Sequence, residues 1–91
     1  MKVTKHVIVH GRVQGVGYRA STRLEAERLG VTGWVRNRRD GTVEAALHGR
    51  AEQIEQMLDW MRRGPAIALV VRVEVSDASG AYETFEMRPS A

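Results

Sequence analysis

The chain has 91 residues, enough for one modest core that buries roughly 60–65% of the unfolded surface and too few for a second domain. Its 14 basic and 11 acidic residues leave a net charge of +3, and it has no cysteine. That composition excludes disulfides, thiolate-held zinc, iron–sulfur clusters and a thiol nucleophile, and it suits the reducing cytoplasm. The mild positive charge would draw anions by general attraction, but it falls short of the dense basic stripe of a nucleic-acid binder. No apolar run approaches the ~18 residues of a membrane span. Met1-Lys2-Val3-Thr4-Lys5-His6 soon enters a strand pattern, so no signal peptide is expected.

Val3 to His10 alternates. Val3, Lys5, Val7 and Val9 share one face, and Thr4, His6, Ile8 and His10 the other, which predicts a half-buried strand. A glycine-rich stretch follows. Tyr18 to Leu29 is helical, with Tyr18, Thr22, Ala26 and Leu29 on one face, Leu24 off it, and Gly30 as the stop. Val31 to Asn37 is a second strand, and Arg38-Arg39-Asp40-Gly41 turns into a third, Thr42 to His48. Gly49-Arg50 breaks the pattern. Ala51 to Arg63 is a clean amphipathic helix whose Ile54, Met57, Leu58 and Met61 recur at helical spacing, ended by Gly64-Pro65. Ile67 to Val75 is a long apolar strand, Ser76 to Ala81 a loop, and Thr84 to Arg88 a short last strand. The order βαββαβ with a trailing strand predicts an α+β sandwich of ferredoxin-like topology: an antiparallel sheet with both helices on one face.

The stretch Gly11-Arg12-Val13-Gln14-Gly15-Val16-Gly17-Tyr18-Arg19 lies between the first strand and the first helix. Glycines there let backbone amides turn inward and approach a ligand closely. Such amides at a helix N-terminus form a site for an anion, most often phosphate. Arg19 adds a permanent cation whose planar fork matches two phosphate oxygens. The stretch lacks the Lys-Ser/Thr of a nucleotide P-loop and the spacing of a dinucleotide fingerprint.

Two segments together resemble the acylphosphatase family. Gly-Arg-Val-Gln-Gly-Val-Gly-Tyr-Arg at 11–19 is similar to its first signature. Gly-Trp-Val-Arg-Asn at 33–37, followed by Asp40-Gly41-Thr42-Val43-Glu44, is similar to its second. The resemblance covers nearly the whole chain and is loosest after Gly64-Pro65. It implies hydrolysis of acyl phosphates to a carboxylate and inorganic phosphate, with no metal and no other cofactor. It assigns phosphate binding to Arg19 and to the loop amides of Gln14, Gly15, Val16, Gly17 and Tyr18. It assigns orientation of the attacking water to Asn37. The partners it implies are a small acyl phosphate and phosphate or related anions, with no nucleic acid and no membrane, and nothing demands more than a monomer.

Other readings of single residues are weaker. His6, His10 and His48 invite a metal, yet no acidic or sulfur ligand joins them in sequence, and they read as strand histidines. Arg36, Arg38 and Arg39 read as a solvated cluster that also draws anions toward the site. Trp34 and Trp60 read as packing residues. A non-catalytic anion- or RNA-binding module is the competing function, since ferredoxin-like folds also carry single-stranded RNA. Such modules stack bases on aromatics of the central strands, and Val3–His10 and Thr42–His48 contain no Phe, Tyr or Trp.

Overall fold

A computed structural model describes all residues from Met1 to Ala91. The elements run β1 (Lys2–Arg12), α1 (Tyr18–Leu29), β2 (Thr32–Asn37), β3 (Val43–Arg50), α2 (Ala51–Arg63), β4 (Leu69–Asp77) and β5 (Phe85–Met87). The strands form one sheet in the order β4-β1-β3-β2-β5. Pairings among the four long strands are antiparallel. β5 departs from the expected all-antiparallel sheet by pairing with β2 in parallel. The cause is the route of the chain: after β4 it runs past Thr4, whose hydroxyl donates to the Gly80 carbonyl, and reaches the far edge, where the Gly33 amide donates to the Thr84 carbonyl.

The alternation in β1 sets which face is covered. Val7 and Val9 are fully buried, as are Val43, Ala45 and Leu47 of β3 and Val35 of β2. Both helices lie on that face. α1 buries Tyr18, Thr22 and Ala26, while α2 buries Ile54, Met57, Leu58 and Met61. Leu24 is exposed, as its place off the stripe predicts. The α1 helix ends at Gly30 in a left-handed conformation, and the Gly30 amide reaches back to the Glu27 carbonyl.

Gly49-Arg50 was expected to break the strand, and it does not. β3 runs through both residues and enters α2 directly. Gly49 pairs with Val3, and a Cβ there would lie 3.2 Å from Gln53 Oε1 and 3.7 Å from Ile54. The glycine therefore serves the close approach of α2 to the strand. Gln53 in turn accepts the Arg50 amide at 2.9 Å, satisfying a donor at the helix start.

The other sheet face is open and polar. Glu44 sits between His6 Nε2 at 2.6 Å and Arg36 Nε at 2.7 Å. Burial pushes the Glu44 carboxyl up, but the hydrogen bonds and charges of His6 and Arg36 outweigh it and hold the group below the usual range. A depressed folded-state pKa gives stability that is present above the unfolded value and lost as the pH falls through the folded one. Glu44→Gln should therefore lower stability by about 1 kcal/mol at neutral pH. In urea titrations across the acid range, that deficit should close once the parent carboxyl is itself protonated. A deficit that persists unchanged at low pH would remove the ion pair as its cause.

Candidate active site

The glycine stretch is held from below and left open above. Val13 is buried and Val16 packs against the core, so these two side chains anchor the loop. Between and beyond them, Gly15 and Gly17 have φ of 74° and 77°, a left-handed conformation that side-chain-bearing residues seldom adopt. A Cβ at either position would meet nothing within 4 Å. The glycines are thus required by backbone conformation, and they leave the outer side of the loop unobstructed.

Gly17 is also the N-cap of α1. No side chain caps this helix end, and its first turn contains no acidic residue. Its leading amides are therefore uncompensated donors at the positive end of the helix dipole. Arg19 lies in that first turn, half-buried, and makes no ion pair. Many of the other arginines are matched, among them Arg23 with Glu27, Arg28 with Glu25 and Arg36 with Glu44.

Tyr18 fixes the helix start to the second helix. It is 1% exposed, and its hydroxyl donates to the Met61 carbonyl at 2.7 Å. Burial pushes its phenol pKa well up, so it stays a neutral donor. Its ring packs at a tilt against Trp60, with centroids 5.8 Å apart. Trp60 is thus a packing residue.

Gln14 brings the two predicted segments together. Its Nε2 donates to the Arg38 carbonyl at 2.7 Å and to the Thr42 carbonyl at 2.8 Å. Those carbonyls flank the β2–β3 turn, where the Arg38 amide also donates to Thr42 and the Gly41 amide to Arg38. Asp40 closes the turn by accepting the Thr42 amide at 3.0 Å and its hydroxyl at 2.6 Å. Those hydrogen bonds hold the Asp40 carboxyl below its usual range.

Asn37 is the last residue of β2, on the covered face with Val35 and opposite Val43. Its backbone carbonyl accepts the Ala91 amide. Its side-chain Oδ1 is buried and has no hydrogen-bond partner, and it is the only buried side-chain polar atom in that state. Leaving a buried acceptor unpaired costs about 1–3 kcal/mol. An orphan retained in a native structure calls for a role.

The three histidines are separately engaged on the open face: His48 with the Thr4 hydroxyl, His6 with Glu44 and His10 with Glu74. Trp34 is 8% exposed, and the guanidiniums of Arg36 and Arg88 each lie over its ring at 4.9 Å. The largest concavity, 590 Å³, is also on the open face, lined by His6, Arg36, Arg38, Arg39 and Glu44 among others. None of residues 14–19 and not Asn37 line it, so pocket size alone would have pointed away from the loop.

The family model described as Acylphosphatase matches residues 5–87. The chain belongs to the acylphosphatase family. It is 52% identical over 87 residues to an acylphosphatase of Cupriavidus pinatubonensis, covering 96% of this chain and 97% of that one. Its structure is similar to that of an acylphosphatase from Coxiella burnetii, with a TM-score of 0.92 at 38% identity over 96% of this chain and 93% of that chain. An acylphosphatase from Bacillus subtilis matches with a TM-score of 0.90 at 30% identity, covering 97% and 99% of the two chains. As a member of this family the protein is an enzyme with a ferredoxin-like fold.

Sequence reasoning left the role of the Gln14 side chain open between ligand and scaffold. Its two donated hydrogen bonds make it scaffold. Both acceptor carbonyls keep a backbone donor when it is lost, so Gln14→Ala should cost only about 1–2 kcal/mol. Gln14→Glu should cost more than Gln14→Ala, because an ionised carboxylate cannot donate and would face two carbonyl oxygens. Paired urea denaturation at neutral pH tests the order, and a Glu variant as stable as the Ala variant would contradict it.

Proposed function

We propose that the protein hydrolyses acyl phosphates, with the phosphoryl group held by Arg19 and the amides from Gln14 to Tyr18 and the attacking water oriented by Asn37. The observation that carries this reading is the unpartnered Asn37 Oδ1 at the strand end that Gln14 ties to the loop. An amide side chain has both an acceptor and donors, so it can take a hydrogen from water and leave an oxygen lone pair aimed at phosphorus. An ionised carboxylate in its place would repel the phosphoryl oxygens.

The chemistry asks for little more. An acyl phosphate is a mixed anhydride whose leaving group is a carboxylate. By analogy with side-chain carboxyls its pKa is about 4, so it departs without being protonated. The transition state spreads charge over the equatorial phosphoryl oxygens, and catalysis is mostly positioning and electrostatic stabilisation. The left-handed glycines, the uncapped helix start and an arginine without a competing carboxylate support that role. A phosphate monoester expels an alkoxide and would benefit from a general acid, for which this reading supplies no residue. We take the enzyme to act in the cytoplasm on a small substrate, with no metal in the step.

An aryl acyl phosphate, assayed with a chelator present, tests this directly. Arg19→Ala and Asn37→Ala should each lower kcat/KM by roughly 10²–10³-fold or more while leaving the fold intact by circular dichroism. Arg19→Lys should recover little, since a point charge lacks the two-pronged geometry. Turnover of a simple aryl phosphate monoester should be far slower than that of the acyl phosphate. Activity surviving Asn37→Ala would keep the phosphate cradle and remove the water-orienting role. Activity lost to the chelator would reject the metal-free route.

A further inference from the structure

β4 forms one edge of the sheet and is paired on one side only, to β1. The opposite edge is blunted: β5 has three residues, and Pro89 follows two positions later. β4 is not blunted in that way. It runs for nine residues, Leu-Val-Val-Arg-Val-Glu-Val-Ser-Asp. Leu69, Val71 and Val75 on it are 64%, 74% and 38% exposed, and Ile67 just before it is 70% exposed. A long edge with free backbone groups and exposed β-branched side chains is a template for one more strand.

The sequence of β4 specifies which strand fits. Its midpoint is Val73, and about that point the segment is complementary to itself when run antiparallel. Val73 then faces the partner's Val73, and Arg72 faces the partner's Glu74. Opposite charges meet on both sides of the dyad, with the Val73 pair between them, which is a favourable arrangement for cross-strand neighbours. A dyad moved to Arg72 or to Glu74 sets like charges against each other at the centre. We propose that the protein self-associates as a two-fold symmetric dimer through the outer edge of β4, a second copy continuing the sheet antiparallel about Val73. Such an interface is isologous and closes on itself, so it gives a dimer and not a fibre.

The contact is small. A bulge at Val71, opposite His10 and Gly11, interrupts the strand and confines regular pairing to the stretch Arg72–Glu74 about the dyad. The dimer is therefore weak and transient in character, and it forms at high protein concentration. It is independent of the chemistry at Arg19 and Asn37.

Sedimentation equilibrium at low salt, from about 10 µM to about 1 mM, tests it. The parent should shift from monomer toward dimer across that range. Arg72→Glu and Glu74→Arg should each weaken association at least about tenfold, about 1.4 kcal/mol, because each sets like charges opposite one another. The combined Arg72→Glu/Glu74→Arg exchange should restore association to near the parent's. All variants should keep the parent's hydrolytic activity. A parent that stays monomeric throughout, single reversals that dimerise as tightly as the parent, or an exchange that fails to recover would each overturn the proposal.

Discussion

The proposed site depends on one side chain engaged as scaffold. Gln14 Nε2 spans from the glycine loop to the carbonyls of Arg38 and Thr42, and so joins the α1 start to the β2–β3 turn. The packing of Val13 and Val16 holds the loop to the core, and this link adds a tie to the strand end that carries Asn37. With it, the loop and Asn37 are referred to the same sheet end. The arrangement places a neutral pair of hydrogen bonds where an ion pair would have added a charge next to the proposed anion site. The choice of glutamine over lysine or arginine at this point keeps the local field in the hands of the loop amides and Arg19.

Much of this was legible in the sequence. The period of two in Val3–His10 and the periods of three and four in Ala51–Arg63 identified which faces are covered, because burial is what selects those spacings. The paired signatures carried the family, and they are the source of the proposed roles of Arg19, Asn37 and the loop. Other features were hidden for physical reasons. The parallel pairing of β5 follows from where the chain crosses the sheet, which no local pattern encodes. The continuity of β3 through Gly49-Arg50 was missed because glycine was read as a breaker, whereas here it answers to the nearness of α2. The orphaned Asn37 Oδ1 depends on packing around a strand end. The anchoring of Tyr18 to Met61 likewise joins residues 43 apart in sequence, with no signal in either segment.

The two faces of the sheet divide the work by dielectric. The covered face holds the core and supports the loop, and it has few charged groups. The open face collects the histidines and many of the carboxylates into pairs that water can reach, such as His6–Glu44–Arg36 and His10–Glu74–Arg72. The Glu74 carboxyl is held below its usual range chiefly by its hydrogen bond from His10. Because these carboxylates are already matched on the far face, they do not compete for Arg19. An arginine left without a partner in a chain with 11 acidic residues is a consequence of where the acids were placed.

The strand order also governs when the site can come into being. β1 lies between β3 and β4, so Lys5 is paired with Asp77 across most of the chain. The backbone of Asn37 and its neighbours is tied to residues still later, through the Arg88 amide to the Val35 carbonyl and the Ala91 amide to Asn37 itself. Contacts this distant in sequence form slowly, since the chain must close large loops before they are rewarded. The loop and Arg19 emerge early in synthesis, but the strand that presents Asn37 gains its outer neighbour only at the end. The proposed catalytic geometry is thus a late event in folding, and a nascent or partly unfolded chain would hold the loop sequence without the scaffold that aims it.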